Sequence, residues 1–299
     1  MEPLQTSTEK LSAFVSRLYA GPELPDYTGI DAPRLTIITP SYNQAEFLER
    51  TILSVLNQGY PNLEYLIIDG GSTDRSVEVI RKYEKYITYW VSEKDKGQVD
   101  ALNKGLRRAT GEWVAFQNSD DVYFPGTFLH FAKAAGGAEK PADIVYGDLY
   151  LIDQHDRATE LLKTIPFSLT SQVWEGMQMH NQSLFFRLDL VKRYGLFDES
   201  YRFAFDYEFI TRYTSAPGVK ARRAEGLLGA LRVHESAKSS TIADIGRREH
   251  EKIRQEYAGK LKQRVPAKIR YLCIRFRKAV YLLTDFAYLG HRLRISRKG

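Results

Sequence analysis

A chain of 299 residues with 43% apolar residues can bury a real core, as one large α/β domain or two smaller ones, so general disorder is excluded. Its lone cysteine, Cys273, excludes an intramolecular disulfide framework and fits a reducing compartment; with no run of transmembrane length and no basic-then-apolar leader, a cytoplasmic chain, soluble or peripheral to a membrane, is expected. The net charge of +6 is uneven: residues 251–299 set fourteen Lys and Arg against Glu251, Glu256 and Asp285, a net +11, which leaves −5 for residues 1–250.

In chain order, residues 1–33 read as an extension without chemistry of its own, an amphipathic segment from Leu11 to Tyr19 followed by a linker through Gly21, Pro22, Pro25 and Gly29. Leu35 to Thr39 is a β-type run stopped by Pro40, with Ser41, Tyr42 and Asn43 in the turn beyond. Phe47, Leu48, Ile52, Val55 and Leu56 then recur at helical spacing until Gly59 and Pro61 end the pattern. A second strand, Leu63 to Ile68, runs into Asp69, Gly70, Gly71, Ser72, Thr73 and Asp74, where two glycines permit a tight turn and Ser72 or Thr73 can cap the next helix. Tyr86 to Val91 predicts a third strand, Gln98 to Ala109 a helix, and Trp113 to Phe116 a fourth strand that delivers Asn118, Ser119, Asp120 and Asp121 at its C-terminal end.

This alternation predicts a mostly parallel, helix-covered sheet with ligands at the carboxyl ends of its strands. Three strand ends then bring polar residues to one rim: Thr39 to Asn43, Asp69, and Asn118 to Asp121. Two adjacent carboxylates with an amide two residues upstream offer hard oxygen ligands suited to Mg²⁺ or Mn²⁺, and a phosphate-bearing substrate held through the ion is the expected cargo; a plain polar turn is the competing reading. Neither a Gly-x-Gly-x-x-Gly fingerprint nor a phosphate loop is present, so a nucleotide here is expected to be held by side chains and a metal.

Further on, Ile144 to Asp148 and Leu149 to Ile152 read as strands, Thr164 to Met179 as an apolar segment around Trp174, residues 206 to 215 as a helix capped by Asp206 and Asp198, and Leu228 to Val233 as a last strand. The tail interleaves Lys and Arg with Ile269, Leu272, Ile274, Phe276, Val280, Leu283 and other apolar residues. Such a basic amphipathic helix either lies on an anionic membrane surface, through residues 252–299, or packs on its own domain or on a second subunit.

Four blocks, Thr36 to Asn43, Ile68 to Asp74, Asp95 to Gly105, and Asn118 to Asp121, resemble in order and spacing the family 2 glycosyltransferases with the GT-A fold, over about residues 34 to 240. The resemblance implies a Rossmann-like GT-A domain at 34–245 between the 1–33 extension and a basic helical region at 246–299. It implies an inverting enzyme that moves a sugar from a nucleotide-diphosphate donor, UDP-sugar favoured, to a hydroxyl of a glycan or lipid-linked acceptor in surface polysaccharide synthesis, with Mn²⁺ or Mg²⁺ as cofactor. Carried over residue by residue, Thr39, Pro40, Tyr42 and Asn43 line the nucleotide end of the pocket, and Asp69 accepts a hydrogen bond from the base. Asp100 and Asn103 contact the base and the donor, with helix capping as the alternative for Asp100. Asp120 matches the metal-binding acid of the Asp-x-Asp motif; Asn118 replaces the first acid, and Ser119 lies between them. Asp206 matches the general base, with Phe205 where the family has Glu and with Glu208 as the fallback base. His234, in Arg232-Val233-His234, is a second metal ligand or a diphosphate contact, near Ser239 or Ser240. Asp121, Trp174, His180, Gln182 and Glu208 are the candidates for the donor sugar and the acceptor.

Other readings stay in view. A non-catalytic nucleotide-sugar-binding or membrane-docking module of the same fold keeps the pocket and loses the chemistry, and the Asn118 and Phe205 departures leave room for it. A sugar-nucleotide pyrophosphorylase lacks its Gly-rich signature after the first strand. Nucleic acid is not an expected partner, because no recognition motif accompanies the charge, and a homo-oligomer is left open.

Overall fold

The computed structural model describes residues 3–136, 141–235, 243–261 and 267–284. After helix α1 (Leu4–Phe14), the first half alternates: β1 (Leu35–Ser41), α2 (Ala45–Leu56), β2 (Leu63–Asp69), α3 (Ser76–Lys82), β3 (Tyr89–Ser92), α4 (Gln98–Arg108) and β4 (Trp113–Phe116). Strand β1 is parallel to β2 and β4, and β2 is parallel to β3. Every residue of β1 is buried, because helices cover both faces of this part of the sheet. Ile38, Leu66, Val114 and Phe116 pack on one face with Leu102 of α4, and Leu35, Ile37, Tyr65 and Ala115 on the other with Ile52 of α2. The parallel register sets Ser41 beside Asp69 and Asp69 beside Ser92, so these strand ends form one rim.

Beyond β4 come β5 (Val122–Tyr123), α5 (Thr127–Ala135), β6 (Ile144–Ile152), β7 (Ala158–Leu162), α6 (Leu169–Glu175), β8 (Leu184–Arg187), α7 (Leu188–Tyr194), α8 (Phe205–Ser215) and β9 (Ala221–Arg232). The sheet runs β3-β2-β1-β4-β8-β6-β9-β5, with β7 attached to β6. Strand β8 is antiparallel to β4 and β6, and β5 is antiparallel to β9, so the sheet is parallel in its first half and mixed beyond β4. Residues 144–152 form one strand instead of two. Strand β9 begins at Ala221, well before the expected Leu228, because its charged first half lacks an apolar signature and its register shifts around Gly226, whose φ is +92°.

Elements from both expected flanking regions pack on the sheet-bearing part of the chain. In α1, Leu11 and Phe14 are buried with Val122, Tyr150, Ile152 and Leu161, and Ser7 Oγ donates to Tyr150 Oη at 3.1 Å. Helix α9 (Ala243–Lys260) buries Ile253 and Tyr257 in the cluster that holds Tyr207, Phe209 and Tyr213 of α8. The body therefore includes α1 and α9, in place of a separate 1–33 extension and a region beginning at 246. Helix α10 (Ala267–Thr284) does follow the tail expectation, with Ile274 buried and Leu272 and Phe276 exposed. Ser239, Ser240 and residues 285–299 lie outside the described residues.

Candidate active site

The turn after β4 is built around a buried carboxylate. Asp121 is buried and accepts from Gln182 Nε2 at 2.7 Å, the Arg232 backbone N–H at 2.8 Å and Asn118 Nδ2 at 3.0 Å. Burial, and then the neighbouring Asp120 charge, hold its carboxyl above the usual carboxylate range. Asp121 is thus the knot of the turn. With Asp121 turned inward, Asp120 is the acid that keeps exposed surface, its side chain 23% exposed and its Oδ2 3.1 Å from His234 Nε2. That hydrogen bond raises the imidazole pKa above its ordinary value.

Asp120 and His234 fit a divalent ion. Their side chains stand side by side, Nε2 to Oδ2 at 3.1 Å, and a carboxylate with an imidazole is a donor set that would suit Mn²⁺ better than Mg²⁺. Among the described residues no cluster of three or more His, Cys, Asp or Glu is placed to hold a metal. The remaining positions on such an ion would go to water and to the phosphates of a ligand.

Residues that sequence reasoning passed over hold this pair. Arg232 is a fully buried cation: Nε donates to the Asp120 carbonyl at 2.6 Å, Nη1 to the Asp153 carbonyl at 2.9 Å, and Nη2 pairs with Asp156 at 2.6 Å. Arg50 meets the other Asp156 oxygen at 3.0 Å. Phe47 lies between, its ring centroid 4.8 Å from that of His234 and 5.0 Å from the Arg232 guanidinium. Nothing in the order of the letters links Arg50, Asp156 and Arg232; only the fold does. His234, Phe47 and the turn from Asp153 to Arg157 border an open cleft of about 600 Å³.

On the nucleotide side the loops after β1 and β2 are stapled together. Asn43, at φ +52°, accepts from the Thr73 N–H at 2.8 Å and donates its own N–H to Ser72 Oγ at 2.8 Å, while Asp74 accepts the Ala45 N–H at the start of α2. Tyr42 is left 59% exposed on this staple. Thr39 is buried and bonded to Tyr65 Oη at 3.1 Å, and Pro40 is buried in β1, so both stand behind the rim. Asp69 has no exposed surface; its carboxylate accepts from the Gly71 and Ser72 N–H groups and from the Ser72 and Ser92 hydroxyls. Asp69 thus clamps the loop, its Oδ2 taking three of these donors and its Oδ1 one. Asp95, packed where any side chain at Gly70 would collide with it, is a neighbouring carboxylate that the sequence reading did not single out.

Helix α4 contributes Gln98, whose Nε2 donates to Asn118 Oδ1 at 2.6 Å and ties the start of α4 to the acid turn. Asn118 is therefore a bridge between Gln98 and Asp121. Ser119 is buried, its carbonyl accepting from Thr51 Oγ1. Asp100 accepts the Lys96 N–H and lies 3.7 Å from Lys104, the helix-capping alternative. Asn103 is buried with its amide on both backbone groups of Phe197, so its side chain is a clamp between α4 and the segment before α8.

That segment leads to Asp206. Phe205, where an acid was expected, is buried and makes ring contacts with Phe116 at 6.3 Å and Phe197 at 5.6 Å. Phe116 ends β4, so this contact brings the N-terminus of α8 to the same rim as Asp120. Asp206 is half-buried in the first turn of α8, where the helix dipole favours a carboxylate. Glu208 is buried and doubly bonded to Arg212, at 2.9 and 3.1 Å, while Arg212 also donates to the Tyr194 and Leu196 carbonyls. Both oxygens of the Glu208 carboxylate are thus engaged by the Arg212 guanidinium.

Of the remaining candidates, Gln182 reaches Asp121, and its own carbonyl lies where a Cβ at Gly229 would come within 2.0 Å, so only glycine lets β9 pass the 181–183 turn. His180 opens that turn, and burial pushes its imidazole down to about 4, so it is neutral at physiological pH. Trp174 instead faces α10, in a cleft with Glu175, Arg275, Lys278, Ala279 and Leu282.

Known proteins resemble this chain both in sequence and in fold. Residues 36–205 match the model of glycosyl transferase family 2. An uncharacterized glycosyltransferase of Mycobacterium tuberculosis is 33% identical over 182 residues, 60% of this chain and 69% of its own length. A PGL/p-HBAD biosynthesis glycosyltransferase of Mycobacterium bovis is 30% identical over 196 residues, covering 64% of this chain and 73% of the relative. Among solved structures, the mannosyltransferase PcManGT from Pyrobaculum calidifontis, in complex with GDP-Man and Mn²⁺, superposes with a TM-score of 0.55 at 21% identity, over 87% of this chain and 72% of that one. S. aureus TarS 1-349 with UDP-GlcNAc gives 0.52 at 18% identity over 68% of this chain; the match spans 60% of that TarS chain.

Proposed function

The chain belongs to glycosyl transferase family 2 and is a glycosyltransferase, and from that premise we propose that it moves a sugar from a nucleoside-diphosphate donor to an acceptor hydroxyl with inversion at the anomeric carbon. The observation that carries this reading is the Asp120–His234 pair at the same rim as the first turn of α8, which carries Asp206. The donor fits between the Asn43–Thr73 staple and the acid turn, with UDP-sugar favoured and GDP-sugar the second choice. Asp120 and His234 would hold Mn²⁺ or Mg²⁺, which when bound supplies positive charge to the departing diphosphate, so no protein acid has to protonate it.

The protein's own part is to orient and to take a proton. Asp206, carried on the α8 dipole, accepts the acceptor hydroxyl proton as that oxygen bonds to the anomeric carbon. The bond from that carbon to the diphosphate oxygen breaks in the same displacement, and the nucleoside diphosphate leaves with the electron pair. Gln182 and His180 lie on the turn beside Asp121 and face the sugar and acceptor side in this reading. The acceptor is a hydroxyl of a glycan or of a lipid-linked glycan, and surface polysaccharide synthesis is the process that uses such a product.

A thermal-shift panel of UDP, GDP, dTDP and CMP, each with Mn²⁺ or a chelator, tests the donor site. Stabilisation by one nucleotide that needs metal and disappears in Asp120→Ala is expected. Asp206→Asn is expected to keep that shift and to lower transfer about 10²- to 10⁴-fold. Wild-type turnover in Asp206→Asn would remove Asp206 from the chemistry, and no shift with any nucleotide would leave the fold without this function.

A further inference from the structure

Helix α10 leaves a row of large apolar side chains in solvent: Ile269 at 52% exposure, Leu272 at 65%, Phe276 at 72%, Val280 at 42% and Leu283 at 59%. Their spacing of three, four, four and three residues puts all five on one stripe along the helix. The opposite side rests on the body, with Ile274 buried, Leu282 in the cleft beside Trp174 of α6, and Arg277 donating to the Pro166 carbonyl. Residues 267–284 hold five Lys and Arg and no acid. At 100° per residue Arg277 and Arg275 fall on the two flanks, between the stripe and the body; Arg277 reaches back to Pro166 and Arg275 borders the Trp174 cleft, while both residues keep exposed surface.

We infer that α10 lies in the plane of an anionic phospholipid surface, its apolar stripe seated at the acyl boundary and its flanking cations among the headgroups. A lipid surface satisfies both halves of the pattern, whereas a second copy would set one acid-free cationic helix against another. No helix among the described residues is long and apolar enough to cross a membrane, so the helix lies on the surface instead of spanning it. Its seat is α6, which also packs on α8 and runs into the turn with His180 and Gln182. The lipid surface thus borders the acceptor side of the site, and the acceptor is a molecule carried in that surface; this last step rests on the transfer reading above.

The test is co-sedimentation of the full chain with vesicles of phosphatidylcholine alone or mixed with phosphatidylglycerol, with no donor present. Binding to the anionic vesicles is expected to exceed binding to neutral ones by at least about tenfold and to weaken with salt. The double variant Leu272→Asp, Phe276→Asp is expected to lose that binding while its thermal midpoint stays at the wild-type value, since both side chains point into solvent. Ile269→Asp with Leu283→Asp gives the same readout from an independent pair. Equal or absent binding to the two vesicle types overturns the inference, as does full binding by both double variants. A wild-type dimer in light scattering that the variants dissociate, without vesicle binding, gives the stripe to a second copy and also overturns it. Vesicle binding without any nucleotide-induced shift keeps this surface and removes the transfer reading; the reverse result keeps the transfer reading and removes the surface.

Discussion

Arg232 shows how much of the site depends on a residue that touches no substrate. It is wholly enclosed, and its guanidinium joins the Asp120 and Asp153 carbonyls to the Asp156 carboxylate. Replacing it with Met keeps much of the volume but leaves Asp156 with Arg50 alone and the Asp120 carbonyl without its donor. A loss of about 3–5 kcal/mol in urea unfolding is expected, together with loss of the metal-dependent nucleotide shift. An Arg232→Met protein of wild-type stability would mean that Arg50 satisfies Asp156 unaided. Asp120 was legible in the letters because a strand must end somewhere and polar residues there are conspicuous. Arg232 was visible only as part of an Arg-x-His string, since the partners of its guanidinium come from two distant segments, Asp120 and the Asp153–Asp156 turn.

At the scale of elements, α9 holds the start of α8. The Glu249 carboxylate accepts the backbone N–H groups of Arg202, Phe203 and Ala204 at 2.8, 2.9 and 2.8 Å, immediately before Asp206. Phe203 lies against Gly246, and the His250 ring stacks on Tyr207 with centroids 4.7 Å apart. Glu249→Ala strands three donors and is expected to lower stability by about 1–3 kcal/mol. Its kcat is expected to fall more than its donor KM changes, because in the proposed transfer the turn carries the base and not the nucleotide. Partial recovery in Glu249→Gln would tie the effect to the carbonyl-type acceptor; equal changes in kcat and KM would reduce α9 to packing alone. The boundary expected at residue 246 missed this, because α9 is polar along most of its length and reveals its inward side only through Ile253 and Tyr257.

For the whole molecule, the consequence is where the chain can be cut. Ending it at residue 245 removes Ile253 and Tyr257, each contributing about 1.5–3 kcal/mol, and also the Glu249 clamp; these losses rival the 5–15 kcal/mol that holds a typical domain. Such a protein is expected to be insoluble or unfolded by circular dichroism, whereas one ending at 261 is expected to fold and to keep its nucleotide-induced shift. A stable, nucleotide-binding 1–245 protein would show that α9 is dispensable. The sequence by itself determined the parallel half of the sheet and the acid turn, because strand alternation, turn residues and the four ordered blocks are local signals that survive in one dimension. Only the tertiary structure decided the tasks of Asp69, Asn103, Asp121 and Glu208. A carboxylate or amide is free for a ligand or already committed according to which donors the fold brings within 3 Å, and those donors come from segments that no periodicity connects.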